Sequence, residues 1–287
     1  MTHGDEVSMF YGTYAYRDAM NAAVDGDLIN LSGGSFQACN ITKAVAIRGA
    51  GAEAAQPTFI VNSFDIQIST TTTERLTMEG LRISNTITVK DSLQNSYFLK
   101  CDIANLYIKS GSFDNGMFVN CKLSISGNAS CSGSMQFLNC LILAYDIYDG
   151  KTYSNLMNCV LTKNGSKLYS CSLLNSIIVN STNLPSTASA TNCLAVGNNC
   201  FGSILAGVNN KYTAELAVFT DSDYTKDLND EAKVAFLGTD GTQVGMYGGP
   251  MPFSLTPTYP QITKMEVASK TTADGKLSVN IEVSAAQ

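Results

Sequence analysis

A six-residue pattern, apolar-x-Asn-Cys-x-apolar, recurs through the middle of the chain and leaves few folds open to it. It appears as FVNCKL from Phe118, FLNCLI from Phe137 and LMNCVL from Leu156. Weaker copies are MEGLRI from Met78, FLKCDI from Phe98, LLNSII from Leu173 and ATNCLA from Ala190. The steps between the seven are 20, 20, 19, 19, 17 and 17 residues. That period is too short for two-helix repeats, which take about 33 residues or more. The runs between copies are rich in β-formers (LRIS at 81–84, TITVKD at 86–91, LYIKS at 106–110) and are broken by Gly, Asn, Asp and Ser. A leucine-rich repeat would carry several Leu at fixed offsets and its Asn in another frame. A coil of two or three short strands fits better. The chain is expected to be all-β, a parallel β-helix of about 17–20 residues per coil, with equivalent positions stacked ~4.8 Å apart.

The third position of the repeat reads Gly80, Lys100, Asn120, Asn139, Asn158, Asn175 and Asn192. Gly and Asn accept a left-handed backbone most cheaply, so this position is read as a tight bend between strands. The Asn side chains are expected to hydrogen-bond along the axis, as in cross-β ladders. Lys100 is the exception, expected in a more relaxed bend. The first, fourth and sixth positions should point inward. The fourth reads Leu81, Cys101, Cys121, Cys140, Cys159, Ser176 and Cys193. Disulfides or a metal compete here with an interior stack of small buried residues, a role that free Cys fills well. Parallel Cβ vectors suit a disulfide poorly, and Leu81 and Ser176 share the slot. A buried, reduced stack is the expectation. Nine Cys in all is an odd number, and CxxC does not occur.

Before the first coil, Tyr14 to Ala23 has helical periodicity, with Tyr16, Met20 and Val24 on one face. Such a helix would cap the open apolar end of a solenoid. The segments that follow carry Gly26, Asp27, Ile29, Leu31, Gly34 and then Ile41, Lys43, Val45, Ile47, Gly49, Gly51. Helix, then GD-x-I-x-L-x-x-G, then I-x-K-x-V-x-I-x-G-x-G, resembles the start of many right-handed parallel β-helix proteins of the pectin lyase-like superfamily. GTDGTQVGMYGGP (238–250) is similar to the ending of uncharacterised Bacteroidetes β-helix repeat proteins. The resemblance covers about residues 10–255 and implies a single-stranded right-handed β-helix. It implies no one activity, because the superfamily holds lyases, hydrolases, esterases, adhesins and phage proteins. Three regions are expected: 1–27 as an N-terminal arm and capping helix, 28–250 as the β-helix, and 251–287 as a Pro-rich linker and β-hairpin around ADG (273–275).

The chemistry-bearing residues are sparse. One His (His3), four Arg, all before residue 83, and no Trp argue against His-based catalysis and His-rich metal sites. The paired Asp, His and R-I-K element of polygalacturonase-like enzymes are missing, as is a convincing esterase set. A lyase would have to draw on Lys90, Lys100, Lys109 and Lys122 with Asp91, Asp102 and Asp114, charges that more commonly form a solvated face. DSDYTKDLNDE (221–231) has DxD spacing but lacks the Gly and terminal Glu of a calcium loop, so no metal and no cofactor is expected. For ligand binding, AYDIYDGKTYS (144–154) offers Tyr145, Asp146, Tyr148, Asp149, Lys151 and Tyr153; Tyr rings stack on sugar faces while carboxylates accept from hydroxyls. A net charge of -6 argues against nucleic acid as a partner, and no apolar run reaches a membrane span. The functional expectation is a non-catalytic extracellular or cell-surface protein that binds glycan or mediates adhesion or assembly, with a polysaccharide or a cell-surface protein as partner. The alternatives are a polysaccharide lyase or hydrolase of the same superfamily, and a phage or appendage fibre component.

Overall fold

Every copy of the repeat turns the same corner. In the computed structural model the third positions all adopt left-handed backbone, with φ of 64° at Gly80, 53° at Lys100 and 49–52° at Asn120, Asn139, Asn158, Asn175 and Asn192. Lys100 therefore makes the same bend as the Asn residues and not a relaxed one. Its Nζ donates to the Thr256 carbonyl at 2.6 Å, and its amide donates to Val119 O at 2.9 Å. Those contacts hold a side chain that pays the left-handed cost of ~1–2 kcal/mol.

The structure describes the chain apart from residues 69–71, 129–131, 148–151, 163–169, 181–183, 185–186, 202–207, 222–226, 268–269, 273 and 285–287, and only the backbone of 261–267. Strands on either side of the corner build two long sheets of 12 and 11 strands, wound as a parallel β-solenoid of about eight turns. In the first sheet Phe98 pairs with Met78 and Phe118, Phe118 with Phe137, Phe137 with Leu156, Leu156 with Leu173, and Leu173 with Ala190. The row extends backward to Ile47 and Ile29, two coils that carry no copy of the motif. Phe98, Phe118 and Phe137 stack ring on ring at 4.8 and 4.9 Å, the rise of the coil itself. In the second sheet the fifth positions align as Arg82, Asp102, Lys122, Leu141, Val160, Ile177 and Leu194. First, fourth and sixth positions point inward and are buried.

The fourth-position slot is more than a small space. Each Sγ lies 3.3–3.4 Å from the first-position carbonyl of the preceding coil: Cys101 on Met78 O, Cys121 on Phe98 O, Cys140 on Phe118 O and Cys159 on Phe137 O. Ser176 repeats the geometry with its hydroxyl on Leu156 O at 3.4 Å. In these five coils the slot holds a small side chain with a donor, and Cys and Ser interchange there, whereas the first motif copy fills it with buried Leu81. All eight described cysteines are free, and all but Cys39 are buried.

Helix α1 (Ala15–Ala22) buries Tyr16, Ala19 and Met20 on the first coil. It ends before Val24, which is 48% exposed and does not share that face. Ahead of it, Thr2–His3 and Glu6–Val7 form a small antiparallel hairpin that pairs onto Leu28–Asn30. At the far end the last ladder strand is Lys211–Thr213. A 3-10 turn at Leu216–Val218 and helix α2 (Asp230–Ala235) follow. Val218, Phe219, Leu228, Ala232, Val244 and Met246 then cover the apolar fifth positions from Leu141 to Leu194.

From residue 238 the chain runs back along the row of bends as a strap. Asn175 donates to Thr239 Oγ1 at 3.1 Å and accepts from Thr239 N at 3.0 Å. Asn139 Nδ2 donates to Met246 O (2.9 Å) and Gly248 O (2.7 Å). Asn120, with its amide nitrogen turned to the two carbonyls, reaches Met251 O at 3.2 Å and Asn139 O at 3.3 Å. Thr256 sits on Lys100, and Thr258 donates to Glu79 at 2.6 Å. The repeat Asn amides thus serve mainly the strap and not one another. A true side-chain ladder occurs at a different bend, where Asn115 Nδ2 donates to Asn95 Oδ1 at 2.7 Å. The strap passes through Pro250 without a break in packing, and Pro257 lies against Gly51. Glycine is required at Gly245 and Gly249, which have φ of 88° and 73°; a Cβ there would lie 2.5 Å from Ile177 Cδ1 and 2.7 Å from Asn158 Nδ2. Beyond the strap, Gln261–Val267 and Val279–Ser284 form the expected antiparallel hairpin.

Replacing Asn139 by Ala removes two buried hydrogen bonds, at ~1 kcal/mol each, and imposes the left-handed cost on a Cβ. Chemical denaturation should show the chain destabilised by about 2–3 kcal/mol, with Asn139→Gly less affected; equal, negligible effects would contradict the strap. Burial also pushes the thiols of Cys101, Cys121 and Cys140 well above their usual range, and those of Cys171, Cys193 and Cys200 up to about 12. Unfolded thiols ionise near ~8.5, so this contribution is full below that pH and is lost as pH climbs through the folded values. The denaturation midpoint should hold to about pH 8.5 and fall above it, while Ser replacements of the stack flatten the fall.

Candidate functional site

The described part of the Tyr-rich segment is divided between core and surface. Tyr145 is 1% exposed, its ring lies edge-on to Phe137 at 6.4 Å, and its hydroxyl is 2.6 Å from Ser154 Oγ. It alternates inward along the strand Leu141–Ile147 and belongs to the core, so it cannot stack on a sugar. Asp146 faces outward on the same strand, while Tyr153 is exposed on Thr152–Met157 of the other sheet. Tyr148, Asp149 and Lys151 lie outside the described residues. Spacing alone groups Tyr145 with Tyr153, but strand alternation separates them: Tyr145 pairs with Ile125 and shares its inward phase.

The fifth-position row builds a better candidate. Asp102 Oδ2 lies 3.6 Å from Arg82 Nε and 3.9 Å from Lys122 Nζ, so three coils present cation, carboxylate, cation in line. The Arg82 guanidinium stands over the Phe59 ring at 5.2 Å, one coil earlier. At Leu141 the row turns apolar and the strap begins to cover it. There a groove of about 400 Å³ opens between sheet and strap, lined by Lys122, Leu141, Tyr247, Phe253, Ser254 and Glu53. Tyr247 and Phe253 meet edge to face at 6.0 Å. The groove combines half-buried aromatic surface, a cation, a carboxylate and a hydroxyl, which is the mixture that holds a polar ring by one face and its substituents by the edges. Its charged and apolar halves were legible in the fifth-position column of the repeat. Tyr247 and Phe253 were not, because nothing in the sequence says that the strap returns to this face.

Two further ion-paired groups lie away from this row. Lys90 Nζ lies 2.5 Å from Asp65 Oδ2. Asp227, in the acidic stretch read for DxD spacing, lies 2.5 Å from Lys233 Nζ and accepts from Gln243 Nε2 at 2.5 Å. Among the described residues no three His, Cys, Asp or Glu side chains are grouped to hold a metal ion, and no helix is long and apolar enough to cross a membrane. No protein-family model matches the chain, and no curated protein is similar to it.

If Tyr145 is core, Tyr145→Phe should cost about 1 kcal/mol of stability by leaving the buried Ser154 hydroxyl without its partner. Tyr153→Ala should change stability by less than about 0.5 kcal/mol. Denaturant titration of both variants checks this, and a Tyr145→Phe variant as stable as the parent would contradict it.

Proposed function

We propose that this chain is a non-catalytic, extracellular or cell-surface β-helix protein that binds an acidic glycan along the groove beside Lys122. The proposal includes the finer fold assignment, a right-handed β-helix of the pectin lyase-like type. The helix–GD-x-I-x-L-x-x-G start and the YGG strap support that assignment. The observation that carries the functional reading is the ion row ending in an aromatic-walled groove. Arg82 and Lys122 supply positive charge on alternate coils, with Asp102 on the coil between them, an arrangement suited to a polymer lying along the axis. Phe253 and Tyr247 supply the apolar wall.

Binding is favoured over cleavage on chemical grounds. A hydrolase needs two carboxylates ~5–10 Å apart, one of them kept protonated. Asp102 instead is ion-paired on both sides, to Arg82 and to Lys122. A lyase needs a free base converging with a cation on one uronate. Lys122 is the only charged member of the row that lines the groove, and it is shared with Asp102. The cation–carboxylate–cation row is nevertheless what makes a lyase the second reading.

A glycan array followed by titration of the hits tests both. Uronate-containing or sulfated chains should bind, and Lys122→Ala and Phe253→Ala should each weaken binding about tenfold, the factor carried by ~1.4 kcal/mol. Incubation with pectic, alginate and glycosaminoglycan substrates, with and without calcium, should yield no unsaturated product. Turnover abolished by Lys122→Ala or Asp102→Asn would replace binding by lyase chemistry, and no binding to any glycan would end the reading.

A further inference from the structure

The only histidine of the chain sits where the N-terminal arm meets the solenoid. Among the described residues, two sets of polar contacts join the arm to the body. One is the pairing of Thr2 with Leu28. The other is His3 Nδ1 on Asp27 Oδ1 at 2.6 Å, between a side chain 60% exposed and one only 5% exposed. Apolar contact is thin: Met1 and Phe10 pack half-buried, while Val7 and Met9 are more than two-thirds exposed. Beneath the arm is a hollow of about 150 Å³ lined by Met9, Phe10, Ala19, Ile29, Leu31 and Phe36.

Asp27 is built into the turn after α1. Its other oxygen accepts from Val24 N at 2.9 Å, so the carboxylate is fixed whether or not the arm is present. The charged groups around the pair are few. Glu6, on the second strand of the arm hairpin, adds negative charge near His3. Lys43 adds positive charge near Asp27, but its Nζ is held by the carbonyls of Met20, Asn21 and Ala23. Asp25 accepts from Ala44 N at 2.7 Å and faces away into that turn.

We propose that His3 and Asp27 form a pH-sensitive latch that holds the N-terminal arm over the first strand edge of the solenoid, and that the arm loosens as pH rises past neutrality. The strand Leu28–Asn30 is the terminal parallel strand of the first sheet, and the arm is what pairs with its outer edge. Loosening uncovers that edge and the hollow beneath the arm. An uncovered parallel edge is a template for another strand, so the latch governs whether this end of the solenoid is closed.

The sign follows from the two partners. The hydrogen bond and charge of Asp27 raise His3 above its ordinary value, so its contribution is full below ~6.5 and is lost as pH climbs through the folded value. Burial pushes Asp27 up, but the Val24 amide and His3 more than offset it and leave the carboxyl low; that contribution is lost only as pH falls through the folded value. The latch is therefore strongest in the mildly acidic range and weakens on the alkaline side.

Because His3 is alone, its ring resonances can be followed by NMR without assignment ambiguity in the full chain. The ring should titrate above ~6.5 and return to that ordinary value in Asp27→Asn. Amide exchange of Thr2–Val7, corrected for intrinsic rates, should be several-fold faster at pH 8.5 than at pH 5.5. Since Asp27→Asn also disturbs the turn at Val24, His3→Gln is the second variant: with native circular dichroism, its arm should exchange fast at both pH values. A ring titrating at the ordinary value, or arm protection that is unchanged by pH or by His3→Gln, would overturn the latch.

Discussion

The left-handed backbone at the third repeat position is the constraint on which the rest of this molecule depends. One such residue per coil turns the chain from one sheet to the other, and its amide already bonds the next coil: Asn120 N to Leu138 O, Asn139 N to Met157 O and Asn158 N to Leu174 O, each at 3.0 Å. Two residues on, the amide bonds backward instead, as Lys122 N does to Cys101 O and Leu141 N to Cys121 O, both at 2.9 Å. The corner is thus tied to both neighbours within three residues. A residue refusing positive φ would break register for the strands on either side at once, and a one-residue slip would put every inward side chain outside.

The corner also explains features that look unrelated in sequence. Left-handed Asn leaves a side-chain amide at the bend, and the returning strap takes up those of Asn120 and Asn139 with its carbonyls and that of Asn175 with Thr239. The strap needs Gly where Asn158 and Ile177 stand close, which gives the run from Gly238 to Gly249 its composition. Inside the corner, the first-position carbonyl of each coil faces a small donor in the next, so Cys and Ser line the slot. The strap in turn walls the groove where the ion row ends. Corner, thiol stack, strap and groove follow from one repeated dihedral.

The sequence was informative in proportion to how local each cause is. Seven motif copies sufficed to place the bends and the inward positions, while helical periodicity placed the capping helix and strand alternation around ADG placed the terminal hairpin. Ile29 and Ile47 lie within the expected β-helix but outside the seven-copy register, because a long excursion between Arg48 and Thr77 breaks the period. Lys100 was misjudged because its bend is secured by Thr256, a residue 156 positions away. The Asn ladder was misplaced for the same reason, since the competing acceptors belong to the strap. Tyr145 was assigned to a surface by composition, when strand phase makes it core. The groove was half legible: Arg82, Asp102 and Lys122 share one repeat position that turns apolar at Leu141, but its aromatic wall arrives by a return path that no local pattern encodes.

Residue-resolved hydrogen exchange at the bends tests this account most directly. Turns are ordinarily among the first amides to exchange, through local opening. Here the backbone amides of Asn120, Asn139, Asn158 and Asn175 should be among the slowest in the chain, opening only with global unfolding and sharing its dependence on denaturant. Bend amides that exchange by local fluctuation, ahead of the strands they join, would contradict the claim that the corner organises the fold.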